Sequence, residues 1–161
     1  MTQEEWLSQY IDAAFAGVEL GTGLDIHAAQ YLDSLSDSEK ILSPTAERKD
    51  WKRVSSEVFP SRHSAITYLD TEGFRFYTPA LMTMFIIHGD EQGMLLNHFL
   101  WNLKVTIHGK IKGVHFSSLF NMHQRAAIIR FLKYLIHHKR KGCDFGEAST
   151  VLMQIQSRTS H

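Results

Sequence analysis

The densest aromatic stretch of this chain reads Ile66-Thr-Tyr-Leu-Asp-Thr-Glu-Gly-Phe-Arg-Phe-Tyr-Thr-Pro-Ala-Leu-Met-Thr-Met84. Asp70 is placed to cap a helix that begins here. Phe74, Phe76 and Tyr77 follow one another too closely to share one helical face. This spacing predicts a helix that is inserted deeply into the core, against which the shorter helices before it and the longer helices after it pack.

The proline in this stretch predicts an interruption. Proline is tolerated in the first turn of a helix but removes a hydrogen bond from its interior. We therefore expect a break or kink at Thr78, before Pro79, followed by a second and very apolar helix over Ala80–Ile87. His88-Gly89-Asp90 should end it.

Short helices are expected in the amino-terminal part. Apolar residues recur at three- and four-residue steps over 3–16, which predicts an amphipathic helix. Asp25 is a good cap for a second helix that runs to Leu32. A third short helix is expected over residues 36–43, and Trp51 is expected to close one edge of the core.

Longer helices are expected in the carboxy-terminal part. The pattern favours a helix over 94–105 and a loop or marginal hairpin over 105–114. Asn121 and Gln124 have the spacing of a capping box at the start of the clearest helix. A last helix is expected over Gly146–Gln156.

These elements predict an all-α protein, a single domain over residues 1–161 with six to eight helices. At 161 residues the chain is long enough to build one core without disulfides or metal. The residues expected to share that core are Phe74, Phe76, Leu81, Phe85, Phe131 and Leu135.

The composition predicts a location in the cytoplasm. Cys143 is the only cysteine, so the chain forms no internal disulfide. The acidic start, Met1–Trp6, lacks the basic and apolar regions of a signal peptide. No wholly apolar run reaches the roughly 20 residues that a membrane span needs.

Charge is unevenly distributed along a chain whose net charge is zero. Residues 1–50 contain ten acids and three bases, whereas residues 51–161 contain seven acids and fourteen bases. Such an asymmetry indicates either two faces with different partners or two halves that attract each other on folding. The acidic amino-terminal third would suit a basic partner.

Ten histidines raise the question of a metal site. Zinc ligands usually recur at short helical spacings together with a carboxylate. His98, His108, His115 and His123 are irregularly spaced instead, which favours a protein without metal or other cofactor. Unless these four side chains converge in space, the histidines predict no site.

Other candidate sites have simpler structural interpretations. Arg75, among its aromatic neighbours, could anchor an anion or an interface, or could satisfy buried carbonyl groups. Lys104, Lys110, Lys112 and the basic run 137–141 could contact phosphates, but no nucleic-acid-binding motif accompanies them. Cys143 follows the carboxyl end of a helix, where the helix dipole does not activate a thiol.

The segment Leu69-Asp-Thr-Glu-Gly-Phe-Arg-Phe-Tyr-Thr-Pro-Ala80 resembles the signature of an uncharacterised family of small bacterial proteins. Asp50-Trp51, Phe15-Ala-Gly-Val18, Phe116-Ser-Ser-Leu119 and Gln124-Arg-Ala-Ala127 are also similar to that family. The resemblance covers residues 11–135 and implies a bacterial origin and a common fold, but no assigned activity. The chain departs from the pattern at Thr78, where leucine is expected, and in the histidine-rich stretch 98–115.

These features together predict a non-enzymatic protein that binds another protein, specifically a bacterial immunity protein that neutralises a toxin in the cytoplasm. One alternative is a small enzyme or metal-binding protein that uses histidines gathered around 98–123. Another is a stand-alone regulatory or scaffold module. Nucleic acid and membranes are not expected partners. The acids expected to contact a toxin are Glu4, Glu5, Asp12, Glu19, Asp25, Asp33, Asp37 and Glu39.

Overall fold

The computed structural model of the chain describes residues 1–34, 43–90, 93–106, 108–138 and 145–159. Within these ranges seven α-helices and three 3₁₀ segments enclose one hydrophobic core, and one short hairpin lies at its edge. The expected all-α architecture of six to eight helices is confirmed. The third short helix expected over 36–43 lies almost wholly outside the described residues.

The bounds of the elements are as follows. The helices are α1 (Gln3–Ala14), α2 (Ile26–Ser34), α3 (Thr71–His88), α4 (Met94–Asn102), α5 (Phe116–Leu119), α6 (Met122–His138) and α7 (Phe145–Thr159). The 3₁₀ segments are Trp51–Arg53, Ser56–Val58 and Pro60–Tyr68. The hairpin pairs β1 (Lys110–Ile111) with β2 (Val114–His115) in antiparallel register.

Helix α3 forms the centre of the fold, as the aromatic spacing predicts. The carboxylate of Asp70 caps it by accepting a hydrogen bond from the amide of Gly73 at 2.8 Å. A Cβ at Gly73 would lie 2.5 Å from the carbonyl oxygen of Leu24. Glycine therefore lets the first turn of α3 approach the loop that leads into α2.

The break expected at Thr78 is wrong, because α3 continues through Pro79 to His88. Proline deprives the helix of one amide donor. The hydroxyl of Thr78 donates to the carbonyl of Phe74 at 2.6 Å, within the same turn. Both Thr78 and Pro79 are buried. The free energy of this packing offsets the lost hydrogen bond, and α3 remains a single helix.

The core is a network of phenylalanine rings around α3. Phe99 of α4 lies 6.0 Å from Phe74 and 5.9 Å from Phe85, between ring centroids. Phe131 of α6 lies 6.1 Å from Phe99 and 6.3 Å from Phe85. All six residues expected in the core are at most 1% exposed, which confirms that prediction.

Two local signals in the carboxy-terminal half are confirmed, the cap of α6 and the hairpin turn before it. The amide of Gln124 donates to the side chain of Asn121 at 2.9 Å, and the Gln124 side chain accepts from the amide of Asn121 at 3.0 Å. The hairpin turns at Lys112 and Gly113, whose φ angles are 49° and 81°. Positive φ at both central residues is the geometry of a type I′ turn.

Within the described ranges, none of the helices combines the length and the apolar character needed to cross a membrane.

Candidate functional site: the surface between α1 and α6

Helix α1 begins with a capping box that orients its first turn. The amide of Glu5 donates to the hydroxyl of Thr2 at 3.1 Å, and the amide of Thr2 donates to the carboxylate of Glu5 at 2.9 Å. Leu7 and Ile11 are buried and set which face of the helix meets the core. This orientation leaves Trp6 partly exposed beside α6.

Three side chains form a stack at this surface. The ring centroids of Trp6 and Tyr10 lie 5.5 Å apart. The guanidinium carbon of Arg130 lies 4.7 Å from the Tyr10 centroid and 5.5 Å from the Trp6 centroid. Trp6 is 44% exposed, and Arg130 is exposed too. Cation–π contacts at exposed sites contribute about 0.5–1 kcal/mol, so the stack holds an arginine in place at the surface.

Two cavities adjoin this stack. One has a volume of about 380 Å³ and is lined by Gln3, Trp6, Leu7, Arg130, Lys133, Tyr134 and His137. The other has a volume of about 470 Å³ and is lined by Tyr10, Ala13, Ala14, Ala16, Asn121 and His123. Among the described residues, none that lines either cavity is acidic. The first cavity is therefore aromatic and basic, whereas the second is lined mainly by alanine, and the described lining of neither is acidic.

Asp25 does not lie at the surface, contrary to its place in the predicted acidic set. It is 0% exposed, and its carboxylate pairs with the guanidinium of Arg48 at 2.7 Å. It also accepts from the amides of Ala28 at 2.9 Å and Ser43 at 2.7 Å. Its expected role as helix cap is confirmed, and burial removes it from any contact with a partner.

The amide of the next residue in the chain makes a second polar contact beside this carboxylate. Ile26 donates its amide to the phenol oxygen of Tyr77 at 3.0 Å. Burial raises the pKa of Tyr77 to about 12, so the phenol stays neutral at physiological pH. Together these bonds join the start of α2 to α3 and stabilise the fold.

The other predicted acids are distributed over several faces. Asp37 and Glu39 lie outside the described residues. Glu19 is exposed, and Glu5 and Asp12, seven residues apart, share one edge of α1. Four acids already have internal partners, which are Tyr134 for Glu4, the amide of Thr2 for Glu5, Lys52 for Asp12 and Ser64 for Asp33. Glu5 and Glu19 are nevertheless exposed, and the Asp12 side chain is 47% exposed despite its ion pair. These three acids are called here the acidic edge.

Arg75 and Lys112 have structural roles in the described fold. The Nε of Arg75 donates to the carbonyl of Leu119 at 2.7 Å. The ammonium of Lys112 donates to the carbonyls of Ile66 and Thr67, each at 3.1 Å, and lies 5.2 Å from the Phe74 centroid. Burial lowers the pKa of Lys112 to about 8. Both cations therefore serve backbone carbonyls.

The other bases named as possible phosphate contacts have different surroundings. Lys104 pairs with Glu147 at 2.8 Å and lies 4.1 Å from the ring of Trp101. Lys110 is exposed in the hairpin. Residues 139–141 of the basic run lie outside the described residues.

The four histidines of the metal hypothesis do not converge. His98 lies 5.1 Å from the ring of His63 instead, and burial lowers its pKa. Among the described residues, no group of three or more His, Cys, Asp or Glu side chains is arranged to hold a metal ion. The part of the chain that the structure describes thus supplies no ligand set for that hypothesis.

Sequence reasoning missed Arg130 as a surface residue of interest. The apolar spacing over 3–16 predicts a packing face on an amphipathic helix, and no motif in the sequence marks Arg130. The pairing itself links residues more than a hundred positions apart, which no local pattern shows.

The chain belongs to a family of unknown function, DUF6714, whose pattern it matches over residues 2–153. This confirms the expectation that the chain belongs to an uncharacterised family. Comparison with curated proteins and with solved structures gave no match.

Proposed function

We propose that this chain is a non-enzymatic protein-binding domain, and specifically a bacterial immunity protein that binds and neutralises a toxin acting in the cytoplasm. The observation that carries the proposal is the stack of Trp6, Tyr10 and Arg130 at the surface. Tryptophan, tyrosine and arginine are the residues that most often dominate the affinity of protein interfaces. Here all three are held together before any partner arrives.

Preorganisation is what favours an interface over a chance surface cluster. Ordering a flexible side chain at an interface costs about 0.5–1.5 kcal/mol. Arg130 is already held against two rings, and the backbone of α1 is anchored by its buried residues. A partner that packs on this surface would therefore lose less conformational entropy than on a surface of mobile side chains.

The acidic edge adds negative charge to the proposed interface beside the aromatic stack. Glu5 and Asp12 lie on α1 itself, and Glu19 follows soon after the helix. Complementary charge chiefly accelerates association and rejects wrong partners, whereas buried anchors supply affinity. We assign steering of a basic toxin surface to the acidic edge and affinity to the Trp6 stack.

The experiment measures association of the purified chain with the product of the neighbouring gene, at low and high salt. Glu5→Gln with Glu19→Gln should slow association several-fold at low salt and leave dissociation nearly unchanged. Glutamine preserves the capping box at position 5, so folding should be unaffected. The matched control is Glu57→Gln with Glu72→Gln, which removes two exposed acids outside the acidic edge.

The outcomes separate the parts of the proposal. Equal association rates for the two double variants would exclude steering by the acidic edge. Failure of every neighbouring product to bind would contradict the immunity function. A neighbouring product that binds but is not toxic would favour the scaffold or regulatory module.

A further inference from the structure

The two cavities lie on either side of the Trp6 stack along the same pair of helices, and the surface that they share between α1 and α6 is called here the groove. Gln3 contacts His138, and Tyr10 contacts Arg130, so α1 and α6 run antiparallel. Three of the α6 residues that line the cavities, His123, Arg130 and His137, recur at seven-residue steps and share one side of that helix. At 1.5 Å per residue the groove extends about 20 Å along α6.

These dimensions suit a third helix. A segment of roughly 14 helical residues spans about 20 Å, and helices pack with their axes 8–10 Å apart. Trp6, Ala13 and Ala14 offer apolar contacts along the α1 side of the groove. A groove of this kind binds a helix through apolar residues that recur at three- and four-residue steps along it.

The charge of the groove selects among such helices. Arg130, Lys133 and His137 line one cavity, and the described residues place no carboxylate within ion-pair distance of Arg130 or Lys133. The nearby Glu4 accepts a hydrogen bond from Tyr134. An occupant that carries carboxylates along its polar flank would pair with these bases, whereas a basic occupant would be repelled.

We infer that the groove between α1 and α6 binds an acidic amphipathic helix of the partner protein. The inference rests on the proposed protein-binding function and names the partner segment that this site takes. Arg130 and Lys133 make one end of the groove basic, and the acidic edge lies on the other side of α1. A partner that covers both must therefore present acidic groups to the groove and basic groups to the acidic edge. Two charge signs across one interface fix its register and exclude partners of uniform charge.

Two synthetic peptides test the groove directly. The acidic probe is a fluorescein-labelled 14-residue helix with leucines at positions 1, 4, 5, 8, 11 and 12 and glutamate mainly elsewhere. The basic probe replaces each glutamate by lysine. Anisotropy titration should show the acidic peptide binding at least tenfold more tightly than the basic one, with affinity falling as salt rises.

Variants locate the binding. Arg130→Gln with Lys133→Gln should weaken the acidic peptide at least tenfold. The matched control, Arg53→Gln with Lys110→Gln, removes two exposed bases outside the groove and should change affinity less than twofold. Ala13→Trp places a bulky ring on the lining of the second cavity without changing charge, and should also weaken binding tenfold.

Several results would overturn the inference. These are no binding of the acidic peptide, equal or tighter binding of the basic peptide, and equal loss in the groove and control variants. A concentration-dependent dimer in sedimentation that Ala13→Trp abolishes would assign the groove to a second copy of the chain instead.

The failures of the two proposals can be told apart. If the groove variants leave the Kd for the neighbouring toxin unchanged while the acidic-edge variants slow its association, the groove inference fails and the proposed function stands. If no neighbouring product binds but the acidic peptide binds as described, the groove stands and the immunity function fails.

Discussion

Two clusters in this molecule combine an arginine with aromatic rings, one in the interior around Arg75 and one at the surface around Arg130. Arg75 comes between Phe74 and Phe76, which are both 0% exposed, and donates to a backbone carbonyl. Arg130 lies over Tyr10 and Trp6, and Trp6 is 44% exposed. The same residue types therefore serve packing in one place and remain accessible in the other.

The difference shows that composition alone does not identify an interface. In sequence, the cluster around Arg75 is the more conspicuous, because its residues are consecutive. In the fold, its guanidinium is committed to Leu119 at 2.7 Å. The cluster around Arg130 is assembled from two helices, and the guanidinium of Arg130 is exposed to solvent. A partner protein can therefore reach it.

The largest expected effect separates the two clusters by stability. Phe76→Ala should lower the free energy of unfolding by about 3–5 kcal/mol, because it empties a fully buried ring site. Trp6→Ala should lower it less, by about 1–2 kcal/mol, because 44% of that residue is already exposed and less apolar surface is lost from the fold. Urea denaturation followed by circular dichroism measures both. A loss below 1 kcal/mol for Phe76→Ala would show that this side chain is misplaced in the core.

A smaller effect compares the two arginines directly. Arg75→Met keeps the length of the side chain but leaves the buried carbonyl of Leu119 without this donor, at a cost of about 1–3 kcal/mol. Arg130→Met should cost about 1 kcal/mol or less but should weaken the acidic peptide. If Arg130→Met lowered the free energy of unfolding in urea more than Arg75→Met, the assignment of a structural role to Arg75 and a binding role to Arg130 would be wrong.

The pH dependence of stability tests the cation beneath the interior cluster. Burial lowers the pKa of Lys112 to about 8 from an ordinary value of 10.5. Between these two pH values the unfolded chain holds a proton on Lys112 that the folded chain has released. The free energy of unfolding should therefore rise with pH from about 8 toward 10.5, through this residue.

Lys112→Met provides the control for this titration, because all other groups are shared with the parent protein. The free energy of unfolding is measured in urea at pH 7, 8.5 and 10 for the parent and the variant. As pH rises, the parent should gain stability relative to the variant. A pH-independent difference would show that Lys112 titrates normally and is more hydrated than its surroundings suggest.

The smallest expected effect is that of a chelator, which should leave the melting temperature unchanged. The irregular histidine spacing predicts a protein that holds no structural metal, so neither cluster should depend on one. The melting temperature, measured by calorimetry, should be the same with and without a chelator. A stoichiometric metal that survives dialysis, with a lower melting temperature on chelation, would contradict this and favour the histidine-based alternative.

Much of the fold was predictable because its signals are local. The caps at Asp25, Asp70 and Asn121 each depend on residues three positions away, and each is confirmed. The hairpin was predictable from alternation and a glycine turn. The candidate site was less predictable, because an acid at a helix start reads the same in sequence whether it is solvated, like Glu5, or buried, like Asp25.

The amino-acid sequence by itself determined which segments are helical and which side chains form the core, since both depend on short-range spacing and on the free energy of apolar burial. Only the tertiary structure decided that α3 runs unbroken through Pro79, that Asp25 is enclosed by Arg48, and that Arg130 meets Trp6. Each of these depends on groups brought together by the packing of the whole chain. Their energies come from burial and from partners distant in sequence, which no local pattern specifies.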